Sequence, residues 1–350
     1  MNNKDNDFAA YEVIAKLYHA YFLGLQLMVS SRMGPKVVGD WMFRLFRQQH
    51  EDKFLSSFTK LGLAGLPDAV ACARYHVLSN RVGGVPVEYL YESDRKAWVR
   101  FRYPRWMFQG PTLCGVPQEA SQGFLEGWYA HNGVSLNNPR LGFVCISEDM
   151  TGEFGLCGYF YEYDDVLAPH ERLRFAKDER PPDFASGEHL EPPSSQWNAE
   201  RLAKANRNYA VEYVRNGIGK LLEVVGEDDA QEMIKRSAKL IGLQYASEIA
   251  QDLNCSVLST EDLLELMAQL MTAAGDEVVV DTDATLTQRG LRVARGLSGS
   301  WRDSVLAAWG ELFAGIGMAQ LHLYDVSVTF GDTEGTWKIS SFQQAPGVRF

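Results

Sequence analysis

The stretch EGWYAHNGVSLNNPRLGFVCI, Glu126 to Ile146, opens with the spacing of an amphipathic helix and closes as an apolar run of strand length. Between them lies a polar cluster: His131, Asn132, Asn137, Asn138 and Arg140, close to Trp128 and Cys145. A helix that passes through a turn into a strand, inside longer runs of helices and of strands, points to an α+β fold rather than a doubly wound sheet.

Working outward, LGFVCISEDMTGEFGLCGYFYEYD reads as a strand pair with MTGE as its turn. Upstream, GGVPVEYLYESDRKAWVRFRYPRW reads as two strands around Ser93-Asp94-Arg95-Lys96. Three helices precede it: Tyr11–Val29, a second after Gly34, and a third that begins at Pro67. In the second, Val38, Trp41, Met42, Leu45 and Phe46 fall on one helical face. The order recurs in the second half. Ala203–Val225 reaches Gly226, a second helix follows, and STEDLLELMAQLM opens on a Ser/Thr–acid cap. AGDEVVVDTDATLTQRGLRVARG then supplies strands, a helix carries Trp309 up to Gly315, and GDTEG turns a last strand pair. The expectation is two tandem related domains, each with helices packed on a small antiparallel sheet. KDERPPDFASGEHLEPPSSQW, with its two Pro pairs, divides them. The domains are therefore drawn as 1–176 and 199–350, with 177–198 as linker and Ser195 or Asn198 as the cap of the next helix.

Each half's ending also carries a resemblance. WGELFAGIGMAQLHLYDVSVTFGDTEGTWKI resembles the C-terminal part of the vinyl-reductase-type small-molecule-binding domain. FGLCGYFYEYDDVLAPHERLRF, with its upstream helices, is similar to the L-2-amino-thiazoline-4-carboxylate hydrolase family, although RYPRW, Arg102–Trp106, lacks the Cys of that family's Cys-Pro motif. These resemblances imply an α+β domain with a small-molecule pocket. One implies hydrolytic ring opening in catabolism, the other binding without chemistry.

Composition narrows the classes. The chain has 350 residues, 46% hydrophobic content and a formal charge of −11, enough apolar material for two cores and a field that repels polyanions. Nucleic-acid and anionic-membrane partners are not expected. No secretory signal is read at the N-terminus, and the longest apolar run, Ala20–Ser30, is broken by Gly24 and Gln26, so the expected location is the cytoplasm. The five cysteines are scattered without a CxxC, which reads as reduced thiols rather than disulfides or a zinc ribbon. No dinucleotide, P-loop, zinc-peptidase or nucleophile-elbow motif is present, and GLSGS in its Arg-rich stretch reads as a turn. Neither a cofactor nor a metal is expected.

The candidate site falls in the first half, because WYAHNGVSLNN is polar where the second half reads WGELFAGIG. His131 is the candidate general base. Asn132, Asn137, Asn138 and Arg140 would hold an oxyanion or a substrate carboxylate. Cys145 and Cys157, on two strands of one hairpin, would face each other and offer a nucleophile. Asp149 in the turn, with Glu162, Asp164 and Asp165, would activate water. Trp128 and the stretch Trp98–Trp106, with Arg100, would wall the pocket. The bland readings stand beside these: His131-Asn132-Gly133 as a helix C-cap, LNNP as a turn, and Cys145 as core. The expected activity is hydrolytic cleavage of a small cyclic or aromatic carboxylated compound. The alternative is a non-catalytic binding module, and an adaptor ranks third. A homodimer is plausible because an aromatic-rich surface needs covering.

Overall fold

Pro35 and Pro67 each stand where a helix can begin, since a helix's first turn needs no N–H from them. The computed structural model of the chain describes residues 3–102, 110–149, 155–191, 197–281, 284–321 and 324–341. Helices α1 (Asn3–Met33), α2 (Pro35–Phe58) and α3 (Asp68–Val82) are followed by β1 (Val87–Ser93) and β2 (Lys96–Phe101). Then come α4 (Gln118–Gly127), the short α5 (Asn132–Ser135), β3 (Leu141–Ser147), β4 (Cys157–Glu162) and a short β5 (Leu173–Phe175). The later elements are α6 (Ala199–Val225), α7 (Glu227–Asp252), α8 (Thr260–Ala274), β6 (Glu277–Val280), β7 (Thr285–Arg289), α9 (Gly299–Gln320), β8 (Tyr324–Phe330) and β9 (Glu334–Ser341). The architecture is α+β, mostly helical, with two small sheets.

The chain forms two compact units, and they are not divided at the Pro-rich segment. One is Val29–Asn206; the other is Arg207–Phe350 together with Met1–Met28. The segment expected as a linker, 177–198, belongs to the first of these. Its Phe184 is buried against the sheet, and its residues 192–196 lie outside the described ones. Met1–Met28 changes sides because the apolar face of α1 needs the second unit's core. Tyr18 stacks on Trp309 at 5.8 Å, and Gly24 lets Ile241 lie where a Cβ would meet it at 2.7 Å. Lys16 adds ion pairs to Glu248 at 2.5 Å and Asp252 at 3.1 Å. Within α1, Ala9–Met33 is long and apolar enough to cross a membrane by length and composition, contrary to the sequence reading of that region. Two-thirds of its most apolar window is buried, as in a core helix.

In Val29–Asn206 the sheet order is β1-β2-β4-β3-β5, antiparallel except for the parallel pair β3–β5. α3, α4 and the turn after α4 cover one face, where Phe143, Phe160, Tyr129 and His76 pack. Trp98, Val144, Ile146, Cys157, Tyr159 and Phe184 form the core of the other face. Each such large apolar side chain contributes roughly 1.5–3 kcal/mol by leaving water. The strap that follows β5 is tied down by Lys177, whose Nζ donates to the fully buried Glu148 at 2.5 Å; Gln118 donates to the same carboxylate at 2.8 Å.

In the other unit the sheet order is β6-β7-β9-β8. Its core is organised by Gln288, whose Oε1 accepts from the indoles of Trp309 (3.2 Å) and Trp337 (3.0 Å) while Nε2 donates to Asp276. The expected Ser259 cap is present as a reciprocal pair with Asp262. Asn198 accepts from the N–H of Arg201 at the start of α6. Gly331 N–H donates to the Glu334 carbonyl, closing the GDTEG turn.

Candidate functional site

Trp128 ends α4 rather than lying inside it, and a single 3₁₀ turn, Tyr129–His131, leads directly into α5. Gly133 sits where a Cβ would meet the Leu141 and Asn138 carbonyls below 3 Å, so only glycine lets this turn lie on the start of β3. The turn separates neighbouring residues into different environments. Asn132 points inward, fully buried, and its Nδ2 lies 2.9 Å from His76 Nε2. His76 stacks on Tyr129 with ring centroids 3.8 Å apart. Trp128 lies edge-on to both His50 and His76, and its Nε1 has no hydrogen-bond partner.

His131 points outward and is half-buried. It contacts His50 edge-on at 5.1 Å, and His50 Nε2 lies 2.8 Å from Ser135 Oγ. His131 opens on a cleft of about 540 Å³. Phe43 and Arg47 of α2, Glu126, Ala130 and Val134 form one side. The other is the segment Pro169, His170, Arg172, Leu173 and Phe175. That segment lies close because Gly142 has no side chain: a Cβ there would meet the Arg172 carbonyl at 3.2 Å. Burial, and then the charges of Arg47 and Arg172, hold the His131 imidazole at about 4. Burial likewise lowers His50 to about 3, with His131 and Arg47 adding to the effect. Arg47 is held by the Gly127 and Glu126 carbonyls at 2.9 and 3.2 Å, whereas Arg172 forms no ion pair among the described residues.

The other residues singled out in the sequence do not gather around His131. Cys145 and Cys157 do not face each other. The cross-strand partner of Cys145 is Gly158, so the two thiols point to opposite faces of the sheet. Both are fully buried. Burial pushes Cys157 up to about 12 and Cys145 higher, which leaves neither as a thiolate at neutral pH. Asp149 is buried and accepts from the Leu156 N–H at 3.3 Å across the hairpin. Asn137 takes the left-handed conformation, φ 55°, at the turn, as LNNP suggests. Asn138 donates to Asp68 (2.8 Å) and Glu162 (3.2 Å), and Arg140 pairs with Glu162 at 2.7 Å, so these groups are engaged in holding the turn. Asp164 pairs with the exposed Arg95. Trp98 and Arg100 lie on the Cys157 face: Trp98 donates to Glu92, and Arg100 pairs with Glu88 and sits over Phe184. Trp106 lies outside the described residues, as does the MTGE turn.

Arg47, Arg172 and His170, which do line the cleft, were not singled out in the sequence. Arg47 lies there among the polar residues of an amphipathic helix, and HERLRF closes the stretch that carries the hydrolase-like resemblance, with no residue of it marked as a site. No local pattern announces the parallel β3–β5 pairing that brings Arg172 to α2. Among the described residues no three His, Cys, Asp or Glu side chains converge as a metal centre requires. Comparisons of the chain with family models, with curated proteins and with solved structures returned no match.

Proposed function

We propose that Val29–Asn206 is a binding module for a small carboxylated molecule with a flat apolar body. The observation that carries this reading is the cleft at His131. It places two guanidiniums, Arg47 and Arg172, beside an imidazole that stays neutral above about pH 4, between apolar walls from Phe43, Leu173 and Phe175. A guanidinium fork suits a carboxylate, and the aromatic walls suit a ring. Glu126 at the same rim favours ligands that also carry a donor. Hydrolysis is the less supported reading, because neither buried cysteine lines the cleft. His131 would have to work there as base toward water alone.

The two halves of the chain also share a plan, and we propose that they descend from one duplicated domain. Three helices, a hairpin, a helix and a hairpin recur in the same order, and the four-strand orders β1-β2-β4-β3 and β6-β7-β9-β8 correspond. Gly34 and Gly226 start α2 and α7 with nearly equal dihedrals, φ 85° and ψ 170° against φ 86° and ψ 165°.

The test is a thermal-shift series of benzoate, phenylacetate and their neutral amides on the wild type, Arg172→Gln and His131→Ala, with ligand recovery followed by mass spectrometry. The expected result is stabilisation by the acids only, lost in Arg172→Gln, with the acids recovered intact. Equal shifts in Arg172→Gln would move the ligand away from this cleft. Conversion of ligand, abolished by His131→Ala, would restore the hydrolase reading.

A further inference from the structure

The sequence reads LTQRGLRVARG as part of a strand segment, but the strand stops at Arg289 and Gly290–Arg295 forms a turn. Leu291 is left-handed at φ 40°, and a 3₁₀ turn follows over Arg292–Ala294. Leu291, Val293 and Ala294 are buried, which leaves Arg292 and Arg295 as the turn's accessible side chains. Arg207 and Arg215 of α6 come to the same place. Arg207, 5% exposed, donates to the Ala273 carbonyl at 2.8 Å and to Asn208 Oδ1 at 3.0 and 3.3 Å. Arg292 Nη2 donates to that same Asn208 oxygen at 3.1 Å, so two guanidiniums meet on one neutral acceptor. Arg215 donates to the backbone carbonyl of Arg295, and its Nε is buried without a partner. Beneath them is Tyr18, 1% exposed, whose hydroxyl also has no partner.

None of these four arginines forms a salt bridge among the described residues. The carboxylate of Asp276, which faces the group, spends its oxygens on Gln288 Nε2 (2.6 Å) and the Arg292 N–H (2.7 Å). Burial, and then mutual repulsion, lowers the pKa of both Arg207 and Arg215. Capping of carbonyls accounts for some of the N–H groups. It does not account for gathering four positive charges, half of them desolvated, in a chain of net charge −11.

We propose that Arg207, Arg215, Arg292 and Arg295, with the Tyr18 hydroxyl, form a binding site for a dianionic oxyanion group, phosphoryl or dicarboxylate, of a small molecule. Four cations without a salt bridge among the described residues call for more than a single negative charge. Guanidinium forks and a phenol O–H are the donors that such oxygens accept from. The site lies in the unit that does not hold the His131 cleft and does not depend on that reading.

The experiment is titration of the full chain with inorganic phosphate and, separately, malonate, followed by calorimetry and thermal melting against chloride of matched ionic strength. The expected result is binding of at least one of these anions, weakened about tenfold or more in both Arg292→Gln and Arg295→Gln and unchanged in Arg172→Gln. Binding of phosphate alone identifies a phosphoryl group, and binding of malonate alone a dicarboxylate. Arg295 is exposed, so its variant reads the site without disturbing the core. Without ligand, Arg292→Gln should melt no lower than the wild type, since it removes a repelling charge. Absence of any shift beyond chloride overturns the proposal, as does binding that persists undiminished in both variants.

Discussion

His50, His76 and His131 carry a pH-dependent consequence of the fold. All three imidazoles are held neutral by burial: His131 to about 4, His50 to about 3, and His76 well below its ordinary value. In the unfolded chain each titrates near 6.5. Below that pH the unfolded chain takes up protons that the folded chain refuses, so stability is full above about pH 6.5 and falls as pH drops toward 4. The midpoint of urea unfolding should therefore decrease between pH 7 and pH 5, before the carboxylates begin to contribute. In His50→Gln that slope should flatten by up to about one proton, or roughly 1.4 kcal/mol per pH unit. A midpoint that does not move over this range would show the imidazoles to be solvated. The sequence named His131 and Asn132 but not their different fates. A single 3₁₀ turn sends one outward and the other into the core, and no periodicity rule resolves a turn of that length.

At the scale of elements, the close helix pairs rest on glycine. α7 and α9 cross where a Cβ on Gly242 would meet the Leu312 carbonyl at 2.1 Å, and one on Gly315 the Lys239 carbonyl at 2.2 Å. α2 and α4 use the same device at Gly123, where a Cβ would meet the Gly39 carbonyl at 2.4 Å. Gly242→Ala must push two backbones apart and should cost about 1–3 kcal/mol in urea unfolding. Gly226→Ala faces open space and meets no atom, so its cost is backbone strain alone, about 1–3 kcal/mol for a conformation that essentially only glycine adopts. A loss at Gly242→Ala well below about 1 kcal/mol would refute the crossing argument. The same glycines show what was legible. Helix and strand identities, the hairpin at Ser93–Lys96 and the Ser259 cap follow from spacing and local chemistry. Gly315 misleads, because a glycine at a helix crossing looks like a glycine at a helix end: α9 runs on to Gln320. The strand positions of Cys145 and Cys157 were readable as well. Their faces were not, since one irregularity between Cys145 and Ser147 sets the pairing register.

At the scale of the molecule, the boundary legible in the sequence, a Pro-rich acidic stretch, is not where the contacts divide. Composition marks segments that lack a core of their own, and such a segment can still pack against a sheet, as Phe184 does. A chain lacking residues 1–28 should lose the packing of α7, α8 and α9 while keeping the sheet of Val29–Asn206. Hydrogen exchange should then quicken by orders of magnitude in the first region and stay unchanged in the second. Uniform quickening would mean that the two units unfold together. The discontinuous unit also orders events at the ribosome. Residues 1–28 are made before every element they pack against, and the whole of Val29–Asn206 is synthesised in between. At roughly 5–20 residues per second, the apolar face of α1, with Val13, Ile14, Leu17, Phe22 and Leu25, waits on the order of ten seconds or more for its partners. Through that interval it is an apolar segment on a nascent chain, open to any chaperone that samples it, and a segment translated before the whole of Val29–Asn206 is sheltered only after it.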